Sequence, residues 1–445
     1  MDKEINLLLI NPWIYDFAAF DLYMKPLGLL YLSSHLKKAG TNVFFIDCMN
    51  RLDEFFIKKK FIKNKKYGTG KFYYEEIEKP EILNFYPRKF KRYGIPYEEV
   101  KRRIVSIKNN NKIDAILITS MMTYWYKGVF DMIKLVKKIF PQTPIFLGGI
   151  YASLMKEHAT KYSNADYVVT GNNIKEIIKF IFTKINISYN ESILPENFNE
   201  WLFPDYNLYS QLSYLVIMSS ISCPFKCTYC ASRLLYPHYF RYPSEKLFQN
   251  LIYYADKFNI KDIAFYDDAL LFNFKNNLKE FLDLILKNNY KFNFHTPNGL
   301  HIKFINEEVA EYLYNTNFKT IRLSLETSNV VRQKITGGKT TNKDFLKAVN
   351  FLHKAGFKEK DIEVYILFGL PGQTLNEIIE SINFVKDNGA TPKIVEYSLI
   401  PSTPDYNNFF KNIEIDPILH NNSLFYIKYS SLKYEDLLYL RHNYL

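Results

Sequence analysis

The chain has 445 residues, 47% of them apolar, and a net charge of +12. That length suits two or three domains, no run reaches the roughly 18 apolar residues of a membrane helix, and three of the four cysteines crowd into one stretch, which excludes a secreted disulfide framework. The positive charge goes with a general richness in Lys, Asn, Ile, Tyr and Phe, so it reads as solvated surface and we expect no nucleic-acid partner.

The opening MDKEINLLLINPW has a charged tip and an apolar run of strand length, too short for a secretory leader. A cytoplasmic protein with reduced thiols is expected. INLLLINP reads as a buried parallel strand ending at Asn11-Pro12. PLGLLYLSSHLKKAG has helical apolar spacing and stops at Gly40. NVFFID, DAILITS (Asp114–Ser120), PIFLGG (Pro144–Gly149) and ADYVVTG (Ala165–Gly171) are further strands. The helices GVFDMIKLVKKIF and NIKEIIKFIF accompany them. This alternation predicts a doubly wound parallel, Rossmann-like sheet over residues 1–185.

Residues 51–111 break the rhythm with a basic, aromatic insertion, and its aromatics argue against disorder. Residues 186–210 look like a linker. From 211 to 405 a second βα series runs through YLVIMSS, DIAFYDD, FNFHTP, TIRLSLET, DIEVYILFGLPG and KIVEYSLIPST. Six such units predict a partial (βα)6 barrel. Residues 406–445 form a polar, aromatic tail.

The second series opens on SCPFKCTYCAS. Cys223, Cys227 and Cys230 have the spacing C-x3-C-x2-C on the loop that follows a strand, the face that carries chemistry in βα barrels. A closed zinc site needs four ligands. Cys48 lies in the other domain, and His238 is spaced unlike the usual zinc patterns. Three thiolates suit an iron–sulfur cube better, because one iron is then left without a protein ligand and can bind a small molecule.

With CPFKCTYC following a strand and opening a partial barrel, the chain resembles the radical SAM enzymes. The resemblance implies a 4Fe-4S cluster on the three cysteines. Its open iron would chelate S-adenosylmethionine, and one electron would split the sulfonium to give a 5′-deoxyadenosyl radical. It also implies site residues. Tyr229 would lie by the adenine. Asp267 or Asp268 would meet the methionine ammonium, and Arg332 the methionine carboxylate. Glu326, with Ser324 on the same strand face, would meet the ribose hydroxyls. Gly369, Pro371 and Gly372 would let backbone approach the adenine.

In the first domain, TSMMTYW, LGGIYAS and VTGNN place small residues at strand ends, where open α/β sheets bind ligands. KPLGLLYLSSHLKKAG and GGIYASL, ahead of such a barrel, resemble the cobalamin-binding domain of a radical SAM subfamily. Ser120, Thr123, Gly148, Gly149, Tyr151, Thr170 and Gly171 are the implied cobalamin contacts. The Asp-x-His-x-x-Gly motif that supplies a cobalt ligand in free cobalamin domains is absent. Lys71, Arg88, Lys91 and Arg92 of the insertion would suit an anionic substrate.

The expected function is a cobalamin-dependent radical SAM enzyme that transfers methyl to carbon or forms a ring. Its expected partners are a small-molecule substrate and an external one-electron reductant such as flavodoxin or ferredoxin. The alternatives are a radical SAM enzyme whose first sheet binds no cobalamin, and a non-enzymatic metal-binding module. A second cluster is not expected, since Cys48 is the sole remaining cysteine.

Overall fold

A computed structural model describes residues 4–411 and 413–445. The charged tip Met1–Lys3 and, within the tail, Asn412 lie outside them. The chain forms two compact units that divide between Ser213 and Tyr214.

The first unit is built on β1 (Ile5–Asn11), β2 (Thr41–Asp47), β3 (Ala115–Ile118), β4 (Ile145–Leu147) and β5 (Tyr167–Val168), all parallel, in the order β5-β4-β3-β1-β2. Leu7 to Ile10 are fully buried, as expected of a strand covered on both faces. Helices α1 (Leu27–Lys38), α2 (Tyr97–Asn110) and α3 (Tyr126–Ile139) connect strands of this sheet, and α4 (Ile174–Lys184) follows its last strand.

The insertion is ordered differently from its sequence boundaries. Its last stretch is α2, a helix of this sheet that buries only Val100 and Ile104 and carries charge elsewhere. The remainder makes two small antiparallel ribbons. Lys91–Tyr93 is the middle strand of one, between Ile14–Asp16 and Tyr74–Glu76, and Gly70–Lys71 is the middle strand of the other, between Phe20–Asp21 and Lys63–Asn64. The stretch expected as a linker packs onto α1. Tyr31 meets Phe198 and Trp201, Ser33 bonds Asp205 at 2.8 Å, and the Leu202 amide donates to His35.

The second unit holds β6 (Leu215–Ile217), β7 (Asp262–Phe265), β8 (Asn293–His295), β9 (Phe318–Glu326), β10 (Ile362–Phe368) and β11 (Thr391–Glu396), parallel and in chain order. Helices α5 (Ser244–Phe258), α6 (Leu278–Lys287) and α7 (Glu307–Asn315) follow β6, β7 and β8, α8 (Val330–Ile335) and α9 (Asn342–Ala355) both follow β9, and α10 (Leu375–Asp387) follows β10. This is the open six-stranded barrel read from the sequence.

The tail is structured. Helices α11 (Pro404–Phe410), α12 (Asn422–Tyr429) and α13 (Tyr434–Asn443) bury Phe410, Phe425 and Tyr426. Phe410 and Phe425 join Leu370, Tyr397 and Leu399 in one cluster, and Tyr229 packs against it. The tail's aromatics thus form the backing of the cysteine loop, and the Asp405 amide donates to the Thr228 carbonyl at 3.1 Å.

Candidate active site

Buried β6 delivers the chain to Ser219–Ser220, and the cysteine loop begins at Ser222, whose φ is +74°. Cys223, Cys227 and Cys230 line one cavity of about 600 Å³ at this end of the barrel. Burial pushes the Cys223 thiol up to about 11 and raises Cys227, while the Lys339 cation pulls Cys227 back. These thiols therefore hold protons at neutral pH, and any metal they bind must displace them. Ser232 meets the Cys230 sulfur through Oγ at 3.2 Å and its amide at 3.5 Å, and His301 Nε2 lies 3.4 Å from the Cys223 sulfur.

Among the described residues no three His, Cys, Asp or Glu side chains converge on a single-ion site. His238, the available fourth zinc ligand, is exposed and lies outside the cavity lining. The donor set instead suits a larger group, because three sulfurs share one roomy cavity.

Facing the sulfurs is a charged trio. The Tyr229 hydroxyl donates to Glu326 Oε2, and the Lys339 ammonium pairs with Glu326 Oε1 while lying 5.8 Å from the Tyr229 ring centre. Burial works to lower the Lys339 pKa, but the Glu326 carboxylate beside it raises it, so the amine stays charged. Glu326 occupies left-handed backbone at φ +71°, at a register shift between β9 and β10 that follows Ser324. The shift breaks the simple two-residue alternation. Ser324 lines the cavity directly, whereas Glu326 joins it through Tyr229 and Lys339.

Lys339 was not among the residues singled out by sequence. Its placement depends on Gly337 and Gly338, at φ +116° and +61°. A Cβ on Gly337 would sit 3.1 Å from Cys227 Cα, so only glycine lets this loop lie on the cysteine loop and present the lysine. The Gly-Gly-Lys run was the available signal.

Asp267, Arg332 and Gly369 are engaged within the protein. Asp267 does not reach the cavity. It is 3% exposed and accepts four bonds, from the amides and hydroxyls of Ser219 and Ser220 at 2.6–3.0 Å. Burial still raises its pKa to about 6. Its neighbour Asp268 is the carboxylate that lines the cavity, its own pKa raised by burial against a bond from Ser232.

Arg332 is also engaged elsewhere. It forks onto Glu377 and donates to the Pro371 carbonyl at 3.0 Å, fixing the Gly-Leu-Pro-Gly turn. Gly369, in that turn, is required by the tail. At φ +100° its Cβ would lie 2.5 Å from Tyr426 Cβ. Gly372, at φ +69°, faces open space.

In the first unit Ser120 and Gly149 form a tight turn pair at the ends of β3 and β4. The Ser120 hydroxyl donates to the Gly148 carbonyl at 2.7 Å, and a Cβ on Gly149 would lie 2.3 Å from the Ser120 carbonyl oxygen. Thr123 is buried just beyond. Thr170 and Gly171 are exposed at the end of β5. Tyr151 is fully buried, bonded to His158 Nδ1 at 2.6 Å, and offers no surface to a ligand. The ends of β1 and β2 are filled by protein, with Asp47 accepting from Asn11 and Tyr209 at 2.7 Å each. Cys48, directly after β2, is a fully buried thiol raised by that burial.

The insertion's basic residues do not form a free anion patch. Arg92 pairs with Glu75 at 2.6 Å, Lys91 sits 4.1 Å over the Tyr74 ring, Arg88 is half-buried, and Lys71 is exposed.

Comparison with known proteins agrees with this organisation. The model of the Radical SAM superfamily matches residues 217–385, and that of the B12 binding domain matches residues 93–174. The chain thus carries a radical SAM domain and, ahead of it, a cobalamin-binding-type domain. Its class works with a 4Fe-4S cluster and S-adenosylmethionine, here alongside a cobalamin module.

A curated relative named uncharacterized methyltransferase PH0819, from Pyrococcus horikoshii, is 22% identical over 346 residues, 69% of this chain and 74% of that protein. Among solved structures, the radical S-adenosylmethionine methyltransferase TsrM from Kitasatospora setae, with cobalamin and a [4Fe-4S] cluster bound, is 14% identical. It aligns with 92% of this chain and 75% of that chain at a TM-score of 0.66. The cobalamin-dependent radical enzyme OxsB with aqua-cobalamin bound aligns with 97% of this chain and 58% of that chain at a TM-score of 0.61 and 13% identity. These structural likenesses show a shared fold. Among the described residues no helix is long and apolar enough to cross a membrane.

Proposed function

We propose that the protein is a cobalamin-dependent radical SAM methyltransferase acting on a carbon of a small molecule, with Cys223, Cys227 and Cys230 as the cluster ligands. The observation that carries this is the convergence of three thiols, one carboxylate and one buried cation on a single cavity. When bound, the cluster supplies the electron that splits the sulfonium, and cobalamin supplies the transferable methyl group.

The chain's own groups then bind and orient. Asp268 faces the methionine ammonium. Lys339 meets the methionine carboxylate, the place expected for Arg332. Tyr229 lies by the adenine, and Glu326, with Ser324, accepts from ribose hydroxyls once its pairing with Tyr229 loosens. In the first unit Ser120, Gly148, Gly149, Thr170 and Gly171 form the rim on which cobalamin lies. The methyltransferase name of the Pyrococcus relative and the activity of TsrM favour methyl transfer over ring formation. We place the protein in the cytoplasm, served by a flavodoxin or ferredoxin.

Anaerobic reconstitution tests this reading. About four irons per chain are expected, one for each corner of the cube. Reduced enzyme with S-adenosylmethionine should release 5′-deoxyadenosine, and Cys227→Ala should not. Protein made with cobalamin present should show a corrinoid spectrum. Without co-purifying cobalt the methyltransferase reading falls and a cobalamin-free radical enzyme takes its place.

A further inference from the structure

His301 is a buried imidazole that the sequence motifs do not mark. It is 8% exposed, and its Nε2 is 3.4 Å from the Cys223 sulfur, a contact that spans 78 positions of chain. The placement is built. Leu300 bridges to Leu323 of β9, its amide donating to the Arg322 carbonyl and its carbonyl accepting from the Ser324 amide. The ring then rests on Phe225 at 4.7 Å between centres, with Phe304 edge-on at 6.2 Å. Neutral or charged, the ring has at least one N–H to place.

We propose that His301 donates its Nε2–H to the Cys223 sulfur once that sulfur is a cluster ligand, and so raises the reduction potential of the cluster. This rests on the assignment of the cysteines given above. A ligating sulfur carries no proton, so the ring must be the donor. A hydrogen bond to sulfur is worth more when the cluster holds the extra electron, because the sulfurs are then more negative, and such bonds tune these potentials. Cys230 draws its polar contact from Ser232, two residues on. Besides the Phe225 backbone, Cys223 has His301 against it, so His301 also ties the loop's first ligand to the β8–β9 connection. It acts through Cys223 and is a positioning residue.

The test is an EPR-monitored redox titration of reconstituted wild type, His301→Phe and His301→Gln, with iron counted in each. His301→Phe should keep its iron but be at least tenfold harder to reduce, a shift of about 59 mV for one electron. His301→Gln, which keeps a donor, should recover part of it. A fully loaded His301→Phe with the wild-type potential overturns the inference. Wild type that holds no four-iron cluster overturns the assignment of the cysteines instead. If His301→Phe loses iron, the decision passes to wild type labelled with ¹⁵N-histidine. A weak nitrogen coupling to the reduced cluster is expected. No coupling, or the strong coupling of a direct iron–nitrogen bond, refutes donation to sulfur.

Discussion

Arg332 and Glu377 form a two-pronged ion pair, Nε to Oε1 at 2.6 Å and Nη2 to Oε2 at 3.0 Å, with both side chains largely buried. The fork that would suit a ligand carboxylate is therefore satisfied within the protein, whereas Lys339, paired with Glu326, lines the cavity as its buried cation beside the exposed Lys226 and Arg233. Lys339→Gln should weaken S-adenosylmethionine binding by about 10–100-fold, since hydrogen bonds to charged groups contribute about 1.5–3 kcal/mol. Arg332→Gln should leave that affinity unchanged and lower the melting temperature instead. Calorimetric titration on reconstituted protein distinguishes the two. Equal losses in both variants would return the carboxylate to Arg332.

The adjacent acids should separate in the same way. Asp267→Asn turns an amide toward the Ser219 N–H and should cost about 1–3 kcal/mol of stability, read by denaturant unfolding. Asp268→Asn should unfold normally and lose at least about tenfold in S-adenosylmethionine affinity. A normal unfolding curve for Asp267→Asn would show that its four bonds are dispensable.

Gly369→Ala places a methyl group against Tyr426 in left-handed backbone. A stability loss of about 2–3 kcal/mol is expected from overpacking and strain. Thermal melting measures it, and protease sensitivity of residues 413–445 should rise in parallel. A melting temperature within error of wild type would place Tyr426 elsewhere.

Glu99 offers a pH test remote from the cavity. Bonds from Arg102 and then Arg103, against an opposing effect of burial, hold its carboxyl down at about 2, below the ordinary 4.5. The folded pKa is depressed, so the contribution is complete above about 4.5 and is lost as pH falls through 2. Glu99→Gln should cost about 0.5–1 kcal/mol at pH 7 and flatten the acid limb of stability against pH. An unchanged acid limb would show the pairing contributes nothing.

Much of this architecture is written locally. A buried strand followed by an amphipathic helix leaves its period in the residues, which is why both sheets, the cysteine loop and the helix Ser244–Phe258 are legible. What sequence hides is pairing over distance. Arg332 has its partner 45 residues away. Asp267 and Asp268 are alike in composition, and only the fold turns one toward Ser219–Ser220 and the other to the cavity. Helix Tyr97–Asn110 escapes notice because two apolar residues suffice to seat it. His301 and Lys339 matter only because a bridge at Leu300 and a glycine pair bring them to the sulfurs.

The exposed glycine pair Gly337–Gly338 lies against Cys227 through backbone, with no side chain to hold it there. Its hydrogen bonds run back to the preceding helix, from the Gly337 amide to the Lys334 carbonyl and from the Gly338 amide to the Gln333 carbonyl. Any side chain at position 337 would press on the backbone of the second thiol, so these two loops can only be altered together.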